Sequence, residues 1–196
     1  VISPTLALEE LMTHPRYPEV AARLRALLPG HILDQADAAV DETLVMTKAL
    51  AALLGARSGA VYPDELPGWL RLVVLDAWVG YVTGRARTCR HNPSAASPRP
   101  VFAAAWKPDL ITCAGCIVLL SLRKDSAADR TCDACGHCCA GVDDNDGIYP
   151  ALIQLGPMTF QYGTCIDCRQ TPVATPAVPR QRPKPRGTRG RGRGRP

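Results

Sequence analysis

Aromatic side chains are scarce in this chain: its 196 residues include two Phe, three Trp and five Tyr. A core cannot be assembled from rings at that density, so it must come from small and branched aliphatic side chains, and Ala, Leu and Val are abundant. Long apolar runs are missing as well. The stretch 72–82 is short and is interrupted by Asp76, which argues against a membrane span. The first fifteen residues carry Glu9 and Glu10 and lack a basic start followed by an apolar run, so they do not read as a secretory signal, and a cytoplasmic protein is expected. No phosphate-binding glycine loop, nucleophile elbow or H-E-x-x-H pattern occurs. His14 and His31 stand isolated. A non-enzymatic protein is the expectation.

Cysteine, by contrast, is plentiful at nine residues. In a reducing compartment that count reads as metal binding in preference to disulfides, and the cysteines are clustered as metal knuckles require. The strongest pattern is Cys132-x-x-Cys135-Gly136 followed by Cys165-x-x-Cys168. Two tight C-x-x-C turns facing each other bring four sulfurs to about 2.3 Å from one ion, and Gly136 permits the backbone turn that closes the first of them. A redox pair would not need a second knuckle beyond a hairpin. Residues 131–170 resemble a zinc ribbon, which implies an architecture and no particular activity.

Cys113-x-x-Cys116 is a further knuckle, placed before an apolar run that reads as a helix in the manner of a treble-clef finger. Cys89 and His91 are its expected partners, a Cys3His set despite the short C-x-H spacing. Two zinc ions per chain follow. Four thiolates can also hold an iron–sulfur cluster, but knuckles across a hairpin favour zinc. His137, Cys138 and Cys139 are then surplus. Strand alternation would put Cys138 and Cys139 on opposite faces, one buried and one exposed, unless one of them replaces a ligand. The run Asp143-Asp144-Asn145-Asp146-Gly147 fails as a calcium loop, because aligning Gly147 puts Val142 and Ile153 at ligand positions, and it reads as a turn.

The expected fold class is α+β. Residues 1–88 read as a small helical bundle with segments at 5–13, 18–28, 34–54 and 64–87. Val20, Leu24, Leu27 and Leu28 share one face of the second, and the last runs on into Cys89. Residues 89–130 form a Cys3His module with its helix. Residues 131–170 form a three-stranded ribbon, with strands at 137–142, 147–155 and 158–164. Residues 171–196 are rich in Pro, Arg and Gly and read as disordered.

Charge is distributed unevenly. Eight of the 23 Lys and Arg, and none of the 18 Asp and Glu, lie in the last 17 residues, so the rest of the chain is mildly acidic. Arg180, Arg182, Lys184, Arg186, Arg189, Arg191, Arg193 and Arg195 offer cations to phosphates without interleaved aromatics, which implies salt-sensitive, poorly sequence-specific binding of DNA or RNA. Arg85, Arg87, Arg90 and Arg99 are the one basic group near a metal site. A nucleic-acid-binding zinc protein is the first reading. An adaptor that presents a protein-binding face is the second.

Overall fold

The computed structural model describes residues 3–60, 62–140 and 146–169. The basic tail and the Asp143-Asp144-Asn145 turn lie outside the described residues. Along the chain, α1 (Pro4–Thr13), α2 (Tyr17–Leu27) and α3 (Gly30–Leu54) precede β1 (Arg57–Ala60). Helix α4 (Gly68–Val82) leads to β2 (Arg87–Thr88) and to a hairpin of β3 (Val101–Ala104) and β4 (Lys107–Cys113). After α5 (Ala127–Arg130), a second hairpin pairs β5 (Tyr149–Leu155) with β6 (Met158–Thr164), and α6 (Ile166–Arg169) closes the described part.

All six strands join one mixed sheet in the order β1-β5-β6-β3-β4-β2. The two hairpins lie side by side through parallel pairing of β3 with β6, and β1 and β2 add in parallel at the edges. The mixed α+β class is as expected, but the helical bundle is replaced by a helix–sheet–helix sandwich. Helix α4 is apolar nearly all round, so it needs cover on both sides. It packs Leu70, Val74 and Tyr81 against Val101, Ile111, Ile153 and Phe160, while Leu8 and Met12 of α1 join the same cluster. On the opposite face, Met46 and Leu50 of α3 pack with Phe102, Ala104 and Leu120. Strand β6, covered on both faces, is buried throughout.

Three segments depart from the expectations of the sequence. Helix α4 stops at Val82, and Gly84 (φ +69°) turns the chain so that Cys89 follows a strand and not a helix. The apolar face expected on α2 is not covered: Leu24 is 56% and Leu27 80% exposed. Apolar periodicity would turn the leucines of α3 inward, yet its buried residues are Ala39, Thr43, Thr47 and Ala51.

The reason for the last departure lies in the sheet, whose α3 face carries buried Gln154 and Thr159 beside its apolar residues, and these need partners. Thr43 Oγ1 lies 3.2 Å from Pro157 O. Gln154 Nε2 donates to Val40 O at 2.8 Å. Thr47 and Thr159 share a buried hydroxyl–hydroxyl bond of 2.6 Å. Thr47→Val is therefore expected to destabilise the fold by about 1–3 kcal/mol, because it strands the Thr159 hydroxyl, whereas the double change to Val at 47 and 159 should recover most of that loss. Urea midpoints of the three variants check this.

Candidate metal centres

The structure brings all eight expected ligands into two clusters of four, Cys89, His91, Cys113 and Cys116 in one and Cys132, Cys135, Cys165 and Cys168 in the other. Within each cluster the ligand atoms lie within 4.8 Å of one another. Each hairpin carries one cluster, built from a ligand pair before its first strand and a C-x-x-C knuckle at the end of its second. Because β4 is antiparallel to β3 and β3 is parallel to β6, the two knuckles stand at opposite ends of the sheet.

In the first cluster, the N–H of Cys89 donates to Ile111 O at 3.2 Å, which ties the turn to β4. The turn closes with Asn92 in the left-handed region (φ 43°), its N–H donating to Cys89 O at 2.8 Å. The short C-x-H spacing works because His91 presents Nδ1, the ring nitrogen nearer the backbone, at 3.4 Å from Cys113 Sγ and 3.2 Å from Cys116 Sγ. Cys89 Sγ lies 3.7 Å from Cys113 Sγ. The knuckle leads into a 3-10 helix, Ala114–Leu120, where the treble-clef reading places an α-helix.

In the second cluster, Cys132 N–H donates to His137 O at 2.8 Å, and Gly136 N–H donates to Cys132 O at 2.9 Å with φ +76°. Cys135 and Cys165 sulfurs are 3.9 Å apart. Of the ribbon's three expected strands, β5 and β6 form. Among the described residues, the segment from His137 contributes an isolated bridge between Thr131 and Cys138 and no strand, because its backbone is turned onto the knuckle.

These distances fit a tetrahedral ion. Zinc–sulfur bonds near 2.3 Å at tetrahedral angles put sulfurs about 3.8 Å apart, and a ring nitrogen near 2.0 Å brings sulfur and nitrogen to about 3.5 Å. They are far longer than the roughly 2.05 Å of a disulfide, and all nine cysteines are free. Burial opposes ionisation of Cys89, but the backbone N–H groups of Cys113 and His91 bring its thiol down to about 7. Cys132 is likewise brought to about 7, against burial, by the N–H groups of Cys165, Cys135 and Ala134. Burial and the neighbouring sulfurs push Cys116 and Cys168 up. One thiolate in each cluster thus discourages the next, and a divalent cation offsets that repulsion.

The clusters are unequal in burial. In the second, Cys132 and Cys165 are buried together with Cys139, with Ala134 and Ile148 packed around them, while Cys135 is exposed and Cys168 half-buried; in the first, Cys89 alone is buried, His91 is exposed and Cys113 and Cys116 are half-buried. Cys139 is buried and Cys138 exposed, as alternation predicts. Neither replaces a ligand; His137 and Cys139 instead meet Asp146 in a third group. Sequence reasoning missed Asp146, since it lies in an acidic run that reads as a turn. It also missed Asp133, whose Oδ2 accepts the Gly163 N–H at 2.7 Å and so fastens the first knuckle to β6. Burial holds that carboxyl above its usual range, although the Gly163 bond lowers it. The tail residues Arg180, Arg182, Lys184, Arg186, Arg189, Arg191, Arg193 and Arg195 lie outside the described residues.

No protein-family model, curated protein or solved structure matches this chain. The geometry carries the functional argument. Two clusters compatible with zinc each offer four protein donors.

Proposed function

We propose that the chain is a non-enzymatic zinc protein of a reducing compartment such as the cytoplasm, and that it binds DNA or RNA through its arginine–glycine tail. Two zinc ions staple the opposite ends of one sheet, in a ribbon-like site at the β5–β6 hairpin and a Cys3His site at the β3–β4 hairpin. The observation that carries this reading is the closure of both clusters. With four protein donors in place no position is left for a reactive water, so the metals shape the fold and do not perform chemistry. Function then rests on surfaces and on the tail, which follows directly from the Cys168 knuckle.

The folded basic group adds little to nucleic-acid affinity. Arg85 pairs with Asp76 at 2.7 Å and Arg87 with Asp109 at 2.8 Å. Arg90 lies between the ligands Cys89 and His91, at the far end of the sheet from the knuckle that leads into the tail. The tail is therefore expected to act alone. Gel shifts with mixed-sequence DNA and RNA, using the full chain and residues 1–179, test this. Eight phosphate contacts imply a log–log salt slope of about −7 on duplex DNA and about −6 on single strands. Loss of binding on removal of 180–196 supports the proposal; no binding by the full chain at low salt refutes it.

One observation favours the adaptor reading, namely the uncovered apolar face of α2, where Val20, Leu24, Leu27 and Leu28 are exposed. Among the described residues no helix is long and apolar enough to cross a membrane.

A further inference from the structure

Beyond the two four-donor clusters, His137, Cys139 and Asp146 bring one nitrogen, one sulfur and one carboxylate oxygen within 4.8 Å of one another. We propose that this trio is a third metal site, for a zinc-class divalent cation, with three protein donors and one position open to water or an exchangeable ligand.

The backbone prearranges it. His137 and Cys139 are two residues apart and both turn their donor atoms toward Asp146, while the intervening Cys138 is exposed. The segment is pinned at both residues, because Cys132 N–H donates to His137 O at 2.8 Å and Cys139 N–H donates to Arg130 O at 2.8 Å. The carboxylate is oriented by the N–H of Ala140, which donates to Asp146 Oδ2 at 2.8 Å, the kind of outer hydrogen bond that aims a ligating carboxylate. Asp146 Oδ1 then stands 3.2 Å from His137 Nε2, close to the spacing of about 3.3 Å between nitrogen and oxygen on one tetrahedral ion.

The donor set selects the ion. A thiolate and an imidazole exclude calcium and magnesium, which take oxygen ligands, and suit zinc. Thiolate and carboxylate together neutralise a divalent charge. Unlike the two closed clusters, this one has three donors, the number at which zinc sites keep an exchangeable position. Cys139 and Ala140 also line, with Gly147, Gln161 and Gly163, a mostly apolar cleft of about 900 Å³.

The site rests on the Cys132 knuckle for its scaffold, so its test must be separable from loss of the four-cysteine zinc. The full chain is saturated with zinc and buffer-exchanged, and metal per chain is measured together with far-UV circular dichroism. Near three zinc ions are expected in the wild type. Near two, with an unchanged spectrum, are expected in both Asp146→Asn and His137→Ala. A wild type that never exceeds two overturns the proposal, as does a variant that keeps three. A fall of two equivalents in Asp146→Asn also overturns it, because the trio would then only buttress the neighbouring cluster. Cys168→Ser in the same assay distinguishes the failures. Two zinc ions in the wild type and one in Cys168→Ser would sink the third site and leave the two closed ones standing.

Discussion

Cys165→Ser releases one zinc ion and lowers the melting temperature by about 10 °C or more, whereas Cys116→Ser releases one with a smaller thermal effect; that contrast is the expected result for unequal staples. Metal binding to a structural site contributes on the order of 10 kcal/mol in small zinc modules, comparable to the whole stability of an ordinary domain. Loss of one thiolate forfeits part of that, and about 4 kcal/mol shifts the midpoint of a chain this size by roughly 8–16 °C. Position decides how much is felt. Cys165 is 3% exposed at the end of the buried strand β6 and packs with Cys132 and Cys139. Cys116 sits half-buried in a 3-10 helix with exposed His91 as its neighbour. Among the two four-donor sites, graded chelation should therefore remove the ions in separate steps, the Cys3His ion before the four-cysteine ion. Zinc release to a chromophoric chelator, followed alongside circular dichroism, measures both steps. Simultaneous loss of both ions, or equal melting temperatures for the two variants, would count against unequal sites.

Gly163→Val should be nearly as damaging, by about 3 kcal/mol or more. A Cβ at this position would overlap Ile148 Cγ2 and lie 3.8 Å from Asp133 Oδ2. Ile148 is β-branched and cannot swing its methyl aside cheaply. Overpacking of this kind costs about 1–3 kcal/mol. The displaced strand would also lengthen the Gly163 N–H bond to the Asp133 carboxylate, and leaving a buried carboxylate without its donor adds a similar penalty. Because Asp133 lies between Cys132 and Cys135, weaker zinc affinity at the second cluster should accompany the lost stability. Ile148→Ala separates the two causes. In that background Gly163→Ala should cost clearly less than it does alone, as measured by urea denaturation, and an unchanged cost would show that the close contact is not the source.

The ligand set is legible in the sequence because C-x-x-C spacing is local. Two sulfurs three residues apart can face one ion whatever the rest of the chain does, and only the pairing of knuckles is left to the fold. The tail's charge is equally plain, being a matter of composition. Helices α1, α2 and α3 can be placed from apolar periodicity and from the breaks at Pro29 and Gly55.

What periodicity does not tell is which face of each helix meets a neighbour. The Thr43 and Thr47 stripe of α3 is buried only because β5 and β6 present Gln154 and Thr159 to it, and those partners lie more than a hundred residues away. Strand β1 carries no alternation and exists through pairing with β5. The separate modules merge for the same reason: an open hairpin edge is satisfied by another strand, and β3 pairing with β6 makes one sheet of two. Asp146 gains its place beside His137 and Cys139 only once the backbone of 137–140 is pinned to the Cys132 knuckle. Sequence alone thus determined the eight donors of the two four-residue clusters and where the charge lies. Tertiary structure decided that the two expected zinc sites stand at opposite ends of one sheet and that a third set of donors exists, because both depend on hydrogen bonds between segments far apart in the chain.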